Sequence, residues 1–79
     1  VMASAKDLVE FIAKSLVDDP SQVRVSEIGG GASLILELRV GSEDMGRVIG
    51  RGGRTANAIR TLTRVLADRH GRRVTLEIV

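Results

Sequence analysis

The run from Leu34 to Val40 constrains this chain more than any other segment. Leu34, Leu36, Leu38 and Val40 alternate with Ile35, Glu37 and Arg39. A period of two puts the first set on one face of a strand and the second set, with its two charges, on the other. The chain must therefore build a sheet that is covered on one side only. With 79 residues available, the cover is a single layer of helices and the result is a two-layer domain. One domain is expected to span residues 1–79. Val1, ahead of Met2, reads as a vector scar or processing remnant that carries no fold information.

The flanking patterns supply the cover. Ala5, Leu8, Val9, Ile12, Ala13 and Leu16 recur at helical spacing behind a Ser4/Asp7 capping pattern, so a helix is expected from Ala5 to Val17. Asp18-Asp19-Pro20 ends it, because proline disfavours helix in the residue before it. A strand from Gln22 to Ile28 is expected next. Gly29-Gly30-Gly31 then turns the chain into a second strand, Ala32 to Val40, making an antiparallel hairpin. Ser42 is expected to cap a short helix that stops at Gly50, with Glu43 and Asp44 in its first turn as the helix dipole prefers. A longer helix should run from Arg54 to Arg69. Its apolar face reads as Ala58, Ile59, Leu62, Val65 and Leu66, and Gly71 terminates it. Residues 72–79 form the last strand. The order is α-β-β-α-α-β. A helical crossover joins the second and last strands, which favours parallel, right-handed pairing. The expected fold is α+β: a three-stranded mixed sheet covered on one face by three helices.

Composition removes several function classes. There is no Cys, so thiol catalysis, disulfides and thiolate metal sites are excluded. His70 is the only histidine and sits at a helix end, where a structural role is expected; it cannot make a metal site alone. None of the six Ser residues lies in a nucleophile elbow. No enzyme activity and no cofactor are expected. No apolar run approaches the roughly 18 residues of a membrane span, and no secretory pattern opens the chain, so a cytoplasmic protein is expected. Phe11 is the only aromatic residue. The stacking platforms of RRM and typical OB-fold modules therefore cannot be built.

Charge is divided along the chain. Residues 1–46 carry four basic and eight acidic side chains, whereas residues 47–79 carry eight Arg against Asp68 and Glu77. The net charge of +2 thus conceals an arginine-rich half suited to a polyanion. Arg60 and Arg64 lie one turn apart on the long helix. They fit a phosphate track, a solvated surface or a contact with a partner chain.

The glycine turn Gly50-Arg51-Gly52-Gly53 lies between two helices. Three Gly in four residues allow a ligand close to the backbone, the next helix N-terminus opens onto the turn, and Arg51 and Arg54 flank it. A Walker A loop would need Gly at position 48 and Lys at position 54; a Rossmann fingerprint would need Gly at position 55. Neither is present. A tight helix–helix bend alone usually needs only one Gly.

Gly50-Arg51-Gly52-Gly53, led in by Val48-Ile49 and followed by Ile59, resembles the GxxG signature of the KH domain. The element order resembles the bacterial type II arrangement. Leu8-Val9-Glu10, Leu36-Glu37-Leu38-Arg39-Val40 and Gly50-Arg51-Gly52-Gly53-Arg54-Thr55-Ala56 resemble the small standalone KhpA-like KH proteins of bacteria. The resemblance implies a clamp on about four nucleotides of single-stranded RNA. Gly50 and Gly53 would be its fixed glycines, and Arg51 and Gly52 its variable pair. Ile49, Ala56, Ile59 and the second strand would line an aliphatic groove for bases; Ala56 stands where many KH domains carry a larger aliphatic residue. Arg47, Arg54 and Asn57 complete the expected RNA-binding set. The resemblance also implies an RNA chaperone acting in post-transcriptional regulation, as a homodimer or a heterodimer with another KH-containing protein. A dimerisation module with RNA binding secondary is the alternative.

Overall fold

The computed structural model describes residues 4–79; Val1 lies outside them. Six main elements follow in the expected order: α1 (Ala5–Leu16), β1 (Arg24–Gly30), β2 (Ser33–Arg39), α2 (Met45–Ile49), α3 (Arg54–Arg69) and β3 (Arg73–Ile78). Strand β2 is central. It pairs antiparallel with β1, matching Ile28 to Ile35, and parallel with β3, matching Leu36 to Leu76.

The alternation in β2 works as the sequence requires. Leu34, Leu36, Leu38 and the following Val40 are buried, and they meet Val9 and Ala13 of α1, Val48 of α2, Ile59 of α3 and Leu76 of β3 in one core. Each fully buried Leu or Val contributes about 1.5–3 kcal/mol relative to exposure. Ser4 caps α1 by accepting the Asp7 N–H at 3.1 Å. His70 takes the C-cap position of α3.

Four local expectations are corrected. Gln22 belongs to a 3-10 turn, Pro20–Gln22, and β1 begins at Arg24. Gly29 and Gly30 extend β1, so Gly31 and Ala32 alone turn the hairpin. Ser42 does not cap α2: it opens a 3-10 turn, Ser42–Asp44, whose cap position is Gly41. Asp44 is more than a dipole partner. It is 4% exposed and accepts the backbone N–H groups of Asp18 and Asp19 at 3.0 and 3.1 Å. This ties the end of α1 to the start of α2.

The long helix packs on a face rotated from the expected one: Ile59 is buried as expected and Leu66 is half-buried. Ala56, Ile59, Thr63 and Ala67 are buried, while Leu62 and Val65 are each 52% exposed and Ala58 is exposed. Thr63 can sit inside because its hydroxyl donates to the Ile59 carbonyl at 2.7 Å, so its polar group is satisfied within the helix.

Candidate nucleic-acid interface

The end of α2 and the start of α3 are joined by four residues, three of which, Gly50, Gly52 and Gly53, have positive φ. Gly50 has φ 74° and ψ 170°, a combination essentially closed to other residues. A Cβ at Gly50 would lie 2.8 Å from the Thr55 Cβ and 2.9 Å from the Thr55 nitrogen. The Gly53 N–H closes the turn on the Gly50 carbonyl at 3.1 Å. Gly53 occupies the N-cap position of α3, and no side chain caps that helix. The Arg54 N–H donates to the Arg51 carbonyl, and the positive end of the helix dipole faces the turn, where it favours an anion. Gly52 is the open tip, with nothing within 4 Å of the place a Cβ would occupy.

Arg51 and Arg54 are exposed on either side of this tip, and Asn57, Arg60 and Arg64 are exposed along α3. Among the described residues the ion pairs are Lys14–Glu10, Arg47–Asp18 and Arg47–Asp44. Arg51, Arg54, Arg60 and Arg64 take part in none of them. Arg47 stands apart from this set. Its guanidinium lies 3.1 Å from an Asp18 oxygen and 3.5 Å from an Asp44 oxygen, so it belongs to the tie between α1 and α2.

The residues expected to line a groove beside the turn differ in exposure. Ile49 is half-buried, but Ala56 and Ile59 are each 2% exposed and face the core. Strand β2 is paired along both edges. The open furrow lies between α3 and β3, with a volume of about 200 Å³, and is lined by Arg60, Thr63, Arg64, Val74, Thr75 and Leu76. One wall is the unpaired edge of β3. Arg73 and Val79 donate their N–H groups to the Ala32 and Leu38 carbonyls at the β2 side. Alternate residues of a parallel strand face opposite neighbours, so the backbone groups of Val74, Leu76 and Ile78 point away from β2. The even-numbered strand groups thus open toward the furrow. Arg60 and Arg64, undecided from the sequence, line this furrow together with β3, which the expected set does not include. The signal that could have found β3 was its position last in the chain, after a crossover, which makes it an edge strand.

No group of side chains suited to hold a metal ion occurs among the described residues, and no helix is long and apolar enough to cross a membrane.

The mixed sheet, its helical cover and the glycine turn between two helices define a KH domain of type II. Residues 6–78 match the family described as KhpA/KhpB, KH domain, and the chain belongs to that family. It is 55% identical over 74 residues to the RNA-binding protein KhpA of Clostridium acetobutylicum, covering 94% of this chain and 99% of the relative. It is 46% identical over 78 residues to the RNA-binding protein KhpA of Aquifex aeolicus, covering 99% of each. Among solved structures, it resembles Aquifex aeolicus Era bound to GDP and AlF4−, with a TM-score of 0.63 and 26% identity. That match covers 94% of this chain and 29% of Era. Era in complex with MgGDPNP and nucleotides 1506–1542 of 16S ribosomal RNA matches with a TM-score of 0.60 and 27% identity, over 94% of this chain and 28% of that one.

Proposed function

We propose that this chain is a non-enzymatic RNA-binding protein that clamps about four nucleotides of single-stranded RNA at the Gly50–Gly53 turn. The observation that carries the proposal is the α3 N-terminus, without a side-chain cap, behind a turn with three glycines in four positions, flanked by arginines that take part in no ion pair among the described residues. Phosphate meets backbone N–H groups at the turn, and the bases lie along the α3–β3 furrow. The names of the relatives and the RNA-bound Era structure support the same ligand class. Activity in the bacterial cytoplasm, as an RNA chaperone in post-transcriptional regulation, fits a clamp this small.

Few contacts make one copy weak. Three or four phosphates give a slope of log K against log salt of roughly −2 to −3 for a single strand. Aromatic stacking, worth about 1–3 kcal/mol per base elsewhere, is unavailable with Phe11 as the only ring. Two modules on one RNA raise the effective concentration. Ala58, Leu62 and Val65 form an outward apolar stripe on α3 that suits a homodimer or a pairing with another KH-containing protein.

The deciding variant carries Arg51→Asp with Gly52→Asp. Both side chains lie outside the core, so the circular dichroism spectrum should match that of the parent. Binding to an unstructured eight-nucleotide RNA should fall at least tenfold, an order-of-magnitude estimate for one lost Arg contact plus two repelling carboxylates. Unchanged binding by this variant would refute the clamp.

A further inference from the structure

Arg60 bridges two hydrogen-bond acceptors at the furrow between α3 and β3. Its Nε–H donates to the Leu76 carbonyl at 3.3 Å, and its Nη1 donates to the Asn57 side-chain oxygen at 3.3 Å. The Leu76 carbonyl is one of the groups on the free edge of β3, and Asn57 stands on α3 one turn nearer the clamp. Each of these oxygens keeps one further lone pair, against the Leu76 N–H, the Asn57 amide N–H pair and the other N–H groups of Arg60. Donors therefore outnumber acceptors at this level.

Such a level is suited to one kind of base edge. A carbonyl oxygen, as at O4 of uracil or O6 of guanine, can accept from these groups, and an arginine fork matches O6 and N7 of guanine. An exocyclic amine at the same place, N4 of cytosine or N6 of adenine, meets mostly donors and shares the Leu76 carbonyl with Arg60. We propose that Arg60 is a specificity-determining residue that makes this position of the groove prefer a carbonyl oxygen (O4 of uracil, O6 of guanine) over an amine (N4 of cytosine, N6 of adenine) at that edge of the base. The proposal rests on RNA binding at the face described above and names the base class that face selects.

Uracil and cytosine differ at the atom in question, so U8 and C8 oligoribonucleotides isolate the effect. Titration of each into the full chain at neutral pH, read by fluorescence anisotropy, should show U8 bound roughly tenfold more tightly, the scale of one hydrogen bond to a charged group. Arg60→Ala frees both acceptors and should erase or reverse the ratio. Arg60→Lys keeps the charge but loses the planar fork that serves two acceptors at once. It should shrink the ratio while leaving the salt slope of U8 binding as in the parent. Equal binding of U8 and C8 by the parent, or a ratio unmoved by both substitutions, would overturn the proposal and leave the RNA-binding assignment standing. Failure of the parent to bind either oligomer would overturn that assignment and this proposal together.

Discussion

The Asp44 carboxylate accepts the Asp18 backbone N–H at 3.0 Å, across 26 positions of sequence. Its second oxygen takes the Asp19 N–H at 3.1 Å, and the Arg47 guanidinium lies 3.5 Å from the first. One carboxylate thereby satisfies two N–H groups where the chain leaves α1, and it fixes the helix that leads into the glycine turn. A buried charge is tolerated here because it is hydrogen-bonded and paired.

Asp44→Ala should therefore be among the costliest single changes in the chain. It leaves two N–H groups without an acceptor and removes one of the two carboxylates beside Arg47. The expected loss is about 2–4 kcal/mol, a large share of the total for a small domain. Asp44→Asn retains one acceptor oxygen and should lose roughly half as much. Urea denaturation curves of the two variants check both the size and the order. Equal stability of parent and Asp44→Ala would show that the tie contributes nothing.

Gly50 and Gly52 should respond differently to alanine. At Gly50 the Cβ meets the Thr55 backbone nitrogen as well as its side chain, and the backbone conformation itself disfavours any Cβ. Gly50→Ala should cost about 2–3 kcal/mol and weaken RNA binding, and adding Thr55→Ala should not restore it. At Gly52, with φ 64° and ψ 18°, the added methyl enters open space and the cost is about 1–2 kcal/mol from the left-handed backbone alone. Thermal melts and RNA titrations of the three variants test the contrast. Full recovery in the double variant would place the clash on the Thr55 side chain only.

Leu62→Glu combined with Val65→Glu should leave the fold intact, since both side chains are 52% exposed. If the outward stripe of α3 joins two copies, sedimentation should report a monomer at concentrations where the parent is a dimer. Affinity for an RNA long enough to hold two clamps should fall with it, while affinity for a four-nucleotide RNA should not. A parent that sediments as a monomer at all concentrations, with affinity for long RNA unaffected by the substitutions, would remove the stripe from the assembly.

Much of this molecule was legible in the chain. The period of two in Leu34–Val40, the helical spacing of Ala5–Leu16 and the punctuation at Pro20, Gly50 and Gly71 set the element order. The crossover between β2 and β3 then left one direction for their pairing. The glycine turn was equally visible, because a backbone requirement for missing Cβ atoms is written at the positions concerned. Each of these signals is local: it depends on a residue and its near neighbours. Tertiary structure decided the rest. Hydropathy counts Thr63 as polar, so the apolar face of α3 was assigned to Leu62 and Val65; a hydrogen bond to the Ile59 carbonyl admits Thr63 to the interior and turns those two outward. Asp44 reads as an ordinary first-turn acid until Asp18 and Asp19 are folded against it. Arg60 reads as one more surface cation until the edge of β3, sixteen positions away, supplies a carbonyl. In each case the partner that fixes the side chain's role is distant in sequence, and only chain packing brings the two within bonding distance.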